Sequence, residues 1–164
     1  MPITPYDRES AVAYAHRWAN SRNPRYYDYE NIGGDCTNFA SQCIFAGKAV
    51  MNFTPDMGWY YNNSNDHSAS WTAVSFLHSF LIYNNGVGPF AKEVGMEDIV
   101  PGDLVQLKFE RGIFQHTPVV VQVGEVPNPE NILVAAHTYE CDNRPLSTFD
   151  YSAARFLHII GIRR

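Results

Sequence analysis

The chain has 164 residues, of which 45% are hydrophobic and 18% charged, a composition that predicts one globular domain over residues 1–164 and excludes a disordered protein. The net charge of −5, with no basic run beyond Arg163 and Arg164, excludes an electrostatic site for nucleic acid. No apolar run approaches the roughly 18 residues of a membrane span. The N-terminus lacks the basic and apolar regions of a signal peptide, so we expect the chain as given to stay in the cytoplasm.

The first half of the chain is predicted to be mainly helical. Helical spacing of apolar residues indicates a helix over residues 9–18 and a second helix from Cys36 to Gly47. A third helix is predicted from residue 70 to about residue 83. Between the last two helices, residues 51–70 are predicted to be a long loop, and loops of that length in compact domains are usually functional or mobile.

The second half carries the patterns of β-strands. The predicted strands cover residues 104–109, 115–123, 132–137 and 155–162. Asp103 follows a Pro-Gly pair and is expected to cap that turn. Helices followed by a run of strands indicate an α+β fold with an antiparallel sheet.

Cys36 is the candidate nucleophile. It stands directly after Asp35, a residue that often caps helices through its side chain, and it opens the second helix. The positive end of a helix lowers a thiol pKa and favours the nucleophilic thiolate. The alternative is a small buried thiol. Cys43 is expected in the core, and Cys141 in a polar loop as a free thiol; Cys36 and Cys43 are too far apart on one helix for a disulfide.

His116 and His137 are the candidate partners of that thiol. One opens a predicted strand and the other closes the next, so antiparallel pairing is expected to bring them face to face, about 5 Å apart at Cβ. His116 is then the general base, and His137 holds its tautomer through a ring-nitrogen hydrogen bond. The alternative is two polar strand ends facing solvent. A metal site of Cys36, His116 and His137 is chemically permissible, but no ligand spacing favours it, and we expect no metal and no cofactor.

Aromatic residues flank the candidate nucleophile in the sequence. Three tyrosines precede it, and two tryptophans lie in or beside the predicted long loop. These residues are Tyr26, Tyr27, Tyr29, Trp59 and Trp71. They are expected to wall a substrate cleft or, in the alternative, to form a hydrophobic cluster.

The motif Gly34-Asp35-Cys36-Thr37-Asn38-Phe39-Ala40-Ser41-Gln42-Cys43 resembles the signature of the bacterial putative amidase domain family. Further short motifs follow in the same order as in that family. They are Trp59-Tyr60-Tyr61, Ser70-Trp71-Thr72, Pro101-Gly102-Asp103, His116-Thr117 and His137-Thr138, with Asn23-Pro24 upstream. The order of these motifs is also similar to that of the NlpC-type cell-wall peptidases, which have a papain-like fold.

This resemblance implies a papain-like α+β domain in which Cys36 is the nucleophile, His116 the base and His137 the third residue. A tyrosine upstream of the cysteine is implied as an oxyanion donor, with Tyr26, Tyr27 and Tyr29 all open. The family more often has His-Ser where this chain has His116-Thr117, and many relatives carry a signal peptide or cell-wall-binding domains.

The resulting hypothesis is a cysteine amidase or peptidase that hydrolyses an amide bond through a thioester acyl-enzyme, and the resemblance implies a bacterial cell-wall peptide as the substrate. Two alternatives stay open. One is an acyl transferase with the same residues, and the other is a non-catalytic module that binds peptide or glycan. A measured thiol pKa below the usual value of about 8.5 favours an enzyme, whereas a normal value for a buried Cys36 favours the binding module.

Overall fold

A computed structural model describes residues 1–164 and has an α+β fold, with a few helices on a large curled antiparallel sheet. The helices are α1 (Arg8–Trp18), α2 (Cys36–Ala46), α3 (Ala69–Thr72) and α4 (Val74–Tyr83). The strands are β1 (Ile3–Thr4), β2 (Tyr61–Asn63), β3 (Asp66–His67), β4 (Gly88–Val94), β5 (Leu104–Lys108), β6 (Phe114–His116), β7 (Val119–Gln122), β8 (Leu133–Ala136), β9 (Cys141–Pro145) and β10 (Ala153–Arg163). None of the helices has the length and apolar character that would carry it across a bilayer.

Eight strands form the main sheet, in the order β1-β10-β5-β7-β8-β9, with β4 paired to β10 and β6 to β5. All pairings are antiparallel. Strands β2 and β3 form a separate hairpin. The predicted α+β class with an antiparallel sheet is therefore confirmed, and the architecture is compatible with a papain-like fold.

Side chains alternate between the two faces of the sheet, and each face has its own hydrophobic core. Leu104 and Val119 point to the larger core, which packs against the helices. Val105 and Val120, one residue further along, point to the smaller core on the other face. Helix α2 is buried from Cys36 to Ile44, so it is the central helix of the larger core.

Several predicted elements need correction. The predicted strand over residues 115–123 is interrupted at Thr117 and Pro118, because proline supplies no N–H to the ladder. The predicted third helix is two helices that meet at Ala73, whose backbone is extended (φ −118°, ψ 132°). The predicted loop over residues 51–70 contains the β2–β3 hairpin and a bridge between Asn52 and Trp59.

Of the positions predicted for Asp103, Cys43 and Cys141, the structure agrees with the first two and differs for the third. Asp103 does cap its turn, since its Oδ2 accepts a hydrogen bond from the Val100 N–H at 3.0 Å. Cys43 is fully buried in the larger core, as predicted. Cys141 is a free thiol as expected, but it begins strand β9 rather than lying in a loop.

Candidate active site

Cys36 is the first residue of α2 and is buried, with 6% of its surface exposed. Its Sγ lies 3.7 Å from the Thr37 hydroxyl, and the backbone N–H groups of Thr117 and Thr37 are near enough to the sulfur to lower its pKa. The Thr37 and Thr117 hydroxyls are 3.2 Å apart, which ties the helix start to the gap between β6 and β7. The thiol therefore lies against the strand that carries His116.

The expected low pKa of Cys36 is not found. Desolvation by burial raises the pKa of the thiol, and the nearby Asp35 charge raises it further. The Thr37 hydroxyl and the two backbone N–H groups lower it, but by less than burial raises it. The thiol is therefore protonated at neutral pH, and a nucleophilic Cys36 needs a base to take its proton.

His116 is buried and has two free ring nitrogens. It is 2% exposed, and neither Nδ1 nor Nε2 has a hydrogen-bond partner, Cys36 Sγ included. Its ring packs against Phe149 and Tyr139, with centroids 5.7 Å and 6.2 Å away. Burial lowers the pKa of His116 to about 4, and the positive charge of Arg144 contributes. The ring is therefore neutral at pH 7 and has an unshared nitrogen lone pair.

His137 does not have the predicted contact with His116. Its Nδ1 is bonded to Asp35 Oδ2 at 2.5 Å, and its Nε2 to the Trp18 carbonyl oxygen at 2.7 Å. Its ring also stacks on Phe39 of α2, with the centroids 4.1 Å apart. Both nitrogens are occupied, so His137 cannot orient the ring of His116 in this structure. The strand register explains why the predicted contact is absent. Val119 pairs with Ala135, and the same register, continued along both strands, places His137 opposite residue 117 rather than His116.

Asp35 has a different role from the predicted helix cap. It occupies the N-cap position, but its side chain forms no capping hydrogen bond. Instead its Oδ1 accepts hydrogen bonds from the Tyr29 N–H and from Asn38 Nδ2, both at 2.9 Å. Its own N–H donates to the Thr138 hydroxyl at 2.9 Å. Asp35 thus connects the segment before α2, the helix itself and the turn after β8.

That turn has an unusual backbone. Thr138 and Tyr139 both have positive φ, 56° and 61°, a conformation that side chains with a Cβ rarely adopt. Such strain persists only where surrounding contacts impose it, and it clusters at functional sites. Here the Thr138 hydroxyl accepts from Asp35, and a Cβ on Gly34 would lie 3.0 Å from the Thr138 oxygen. Gly34 is therefore needed at this position. Thr138 and Tyr139 were not among the predicted site residues, although Thr138 is part of the His137-Thr138 motif.

The three candidate tyrosines lie around the start of α2. Tyr26 stacks on Trp71, the Tyr27 carbonyl accepts a hydrogen bond from Asn38, and the Tyr29 hydroxyl lies 3.4 Å from His67 Nδ1. None of their hydroxyl groups is bonded to the Cys36 sulfur. Burial raises the pKa of Tyr29 to about 12, so its hydroxyl stays protonated and able to donate.

The expectation that Trp59 and Trp71 wall a cleft is corrected. Both are fully buried, and their rings lie 4.6 Å apart in the larger core. Their indole N–H groups donate to Ser41 Oγ at 3.1 Å and Asn38 Oδ1 at 3.0 Å. The alternative is therefore the one that the structure supports, since the two tryptophans pack beneath α2 instead of facing solvent.

No group of histidine, cysteine and acidic side chains in the structure has the geometry of a metal site. Cys36, His116 and His137 do not converge on one point, because His137 is committed to Asp35 and Trp18. What the site does bring together is a buried thiol, a strand that ends in a neutral histidine, and a buried histidine–aspartate pair at the helix start.

An α+β domain with a buried cysteine at the start of its central helix belongs to the class compatible with papain-like enzymes. The sequence profile of the putative amidase domain family matches residues 5–160, and the chain belongs to this family. This membership supports an amidase-type hydrolase activity.

One curated relative is the protein described as "Uncharacterized protein YhbB" of Bacillus subtilis (strain 168). It is 38% identical over 165 residues, an alignment that covers 94% of this chain and 50% of the relative. The chain thus spans about half the length of the curated relative it matches. No solved structure matches the chain.

Proposed function

We propose that this domain is a cysteine amidase in which Cys36 is the nucleophile and His116 the general base. The observation that carries the proposal is the state of His116: it is buried, and both ring nitrogens lack a partner. It also directly precedes Thr117, whose hydroxyl lies 3.2 Å from that of Thr37 and whose backbone N–H is near the Cys36 sulfur. The backbone of His116 is therefore close to the start of α2.

The other histidines support this choice by exclusion. Each of them has at least one ring nitrogen bonded to a carboxylate, a carbonyl or a hydroxyl. These five are His16, His67, His78, His137 and His158. His116 alone has both nitrogens free. Its ring packs against the aromatic side chains of the smaller core, on the opposite face of the sheet from the larger core that contains α2. The proposed reaction therefore requires the ring to turn toward the sulfur, and no hydrogen bond of the ring has to break for that turn. Catalytic hydrogen bonds often form only when substrate is bound.

The chemistry follows from these positions. His116 takes the proton of the Cys36 thiol, and the thiolate attacks the amide carbonyl carbon to give a tetrahedral oxyanion. The backbone N–H of Cys36 has no partner within its helix and is a donor for that oxyanion, with a protonated tyrosine as the second. The C–N bond then breaks, the amine leaves with the proton from His116, and a thioester remains.

Water completes the cycle. His116 accepts a proton from water as the oxygen attacks the thioester carbon. The C–S bond then breaks, the Cys36 sulfur takes the proton back from His116, and the carboxylic acid product leaves. If an amine takes the place of water, the same acyl-enzyme yields a new amide, which is the transferase alternative. Product analysis with an added amine separates hydrolysis from transfer.

His137 is proposed as a positioning residue. Through Asp35 it fixes the residue before the nucleophile, and through the Trp18 carbonyl it fixes the end of α1. This differs from the third-residue role implied by the NlpC-type resemblance, in which it would orient His116. A bacterial cell-wall peptide as the substrate rests on that resemblance alone.

The raised pKa of the buried Cys36 also fits a non-catalytic binding module. The test must therefore distinguish an enzyme from a binding module. Amide hydrolysis is measured on a panel of peptide amides, by release of the amine, for the wild type and for Cys36→Ala. Cys141→Ser is the control, because Cys141 is also a free thiol but lies on β9. We expect Cys36→Ala to reduce turnover to background and Cys141→Ser to retain it. Hydrolysis that survives in Cys36→Ala would refute the nucleophile.

A further inference from the structure

An open cavity of about 420 Å³ adjoins His116 on the face of the sheet that carries the smaller core. Its aromatic lining is Phe109, Tyr139 and Phe149. All three of these rings also contact the ring of His116, at centroid distances of 5.7 to 6.5 Å. The free histidine therefore lies directly behind the aromatic wall of this cavity.

Arg144 lines the cavity, and hydrogen bonds fix its side chain in place. Its Nε donates to Thr148 Oγ1 at 2.7 Å, and its Nη2 donates to the Thr148 carbonyl oxygen at 2.9 Å. The guanidinium carbon lies 3.7 Å from the ring centroid of Phe149. These contacts fix the plane of the guanidinium before any ligand binds, which reduces the entropy lost on binding.

The charge of Arg144 is not neutralised by a carboxylate. Arg8 and Arg22 both form ion pairs with acidic side chains, whereas Arg144 forms none. The other charged residues of the cavity are Glu110, Arg111 and Asp150. All three are exposed at the rim, where water and salt screen them, and Arg144 is half-buried.

Arg144 is also close enough to His116 to act on it electrostatically. Burial is the main cause of the low pKa of His116, and the charge of Arg144 is the second. An anion on Arg144 would cancel that charge and raise the pKa of His116. A bound carboxylate would thereby make the base stronger at the moment when substrate is present.

We propose that this cavity is a substrate subsite and that Arg144 determines specificity there by pairing with a carboxylate of the amide substrate. The proposal rests on the proposed function, because it takes His116 as the base next to the subsite. The proposed substrate class is amides that carry a carboxylate group. The guanidinium fork suits a planar carboxylate, and the aromatic wall suits the adjoining apolar part of the ligand.

The test compares two probes that differ only in one charge, acetyl-glycyl-glycine and its C-terminal carboxamide. Binding is measured in Cys36→Ala by titration of the His116 ring signals in NMR spectra. We expect the carboxylate probe to bind about tenfold more tightly than the carboxamide, the range of a charge-assisted pair. Equal binding of the two probes, or binding of neither, would overturn the subsite.

Variants assign the effect to Arg144. Arg144→Gln is expected to remove the preference for the carboxylate, and Arg144→Lys to keep part of it, because lysine retains the charge without the fork. Arg17→Gln, on the exposed side of α1 and outside the cavity, is the control and is expected to keep the full preference. A preference that survives in Arg144→Gln would contradict the assignment.

Failure of the subsite and failure of the proposed function give different results. Acylation of Cys36 is followed separately by intact mass in the wild type with an uncharged activated ester. If Cys36 is acylated but the probe preference is absent, the subsite is wrong and the nucleophile stands. If Cys36 is never acylated, the proposed function is wrong, whatever the probes show.

Discussion

His137 and Asp35 form a buried pair, with Nδ1 and Oδ2 2.5 Å apart and each side chain 1% exposed. The other ring nitrogen of His137 contacts the Trp18 carbonyl oxygen. Both ring nitrogens of His137 therefore have hydrogen-bond partners, and neither is free to take the proton of a thiol.

The buried pair predicts a large loss of stability when its acid is removed. Asp35→Ala leaves His137, the Tyr29 N–H and Asn38 Nδ2 without their acceptor, so we expect a loss of about 3–5 kcal/mol in the free energy of unfolding. Urea unfolding measures it. His16→Ala is the control, because its pair with an acid is exposed and should contribute less than about 1 kcal/mol. A loss of similar size in both variants would contradict the role of the buried pair.

The low pKa of His116 predicts a pH dependence of stability. The folded value is about 4 and the unfolded value about 6.5. Between these two pH values the unfolded chain binds a proton that the folded chain does not, so the contribution of His116 increases as pH rises from 4 to 6.5. The total is about 3 kcal/mol at most. The free energy of unfolding, measured with urea, is compared between the wild type and His116→Gln at each pH. The difference between the two should rise over this interval. Parallel plots of this free energy against pH would show that the ring titrates normally.

Removal of the Asp103 side chain is also expected to destabilise the protein strongly. It is fully buried and accepts hydrogen bonds from Arg8 Nη1 at 2.7 Å, from His158 Nδ1 at 2.8 Å, and from two backbone N–H groups. We expect Asp103→Ala to reduce the free energy of unfolding by about 3–5 kcal/mol, because it leaves a partly buried guanidinium unpaired. Lys48→Ala removes an exposed ion pair and should cost much less, because water screens it. Equal midpoints of thermal unfolding for Asp103→Ala and Lys48→Ala would rule out the assigned role of Asp103.

The position of Trp71 predicts an effect on stability rather than on substrate affinity. Trp71→Ala removes a fully buried ring and is expected to cost about 3–5 kcal/mol. Trp71→Phe keeps most of the volume and loses mainly the hydrogen bond to Asn38, a cost of about 1–2 kcal/mol, with KM unchanged. Thermal unfolding and steady-state kinetics of the Phe variant check both parts. A raised KM at unchanged stability would indicate instead that Trp71 contacts the substrate in a cleft.

Much of the fold could be predicted from local signals. The helix from Cys36 is correct because glycines precede it and apolar spacing continues to Gly47. Strands β5 and β10 are correct because β-branched and apolar residues dominate them. Strands β4 and β9 were not predicted, since proline and charged residues interrupt their sequences, and only pairing with β10 and β8 makes them strands.

The candidate site was predicted in part, and the limit is physical. The sequence places Cys36 at a helix start, but burial reverses the expected sign of its pKa shift, and burial depends on the whole fold. The hairpin brings His116 and His137 to neighbouring positions, but register decides which partners each ring meets. Arg144 could not be identified at all, because its cavity joins segments far apart in sequence.

The measurement that tests the central claim most directly is the site of acylation. The wild type is mixed with an activated ester, the reaction is quenched with acid, and peptide mass mapping locates the acyl group. We predict one acyl group on Cys36, formed about 10²- to 10⁴-fold more slowly in His116→Gln and at nearly the wild-type rate in Cys141→Ser. An acyl group on another residue, or amide turnover by Cys36→Ala with no acyl-enzyme in the wild type, would contradict the account.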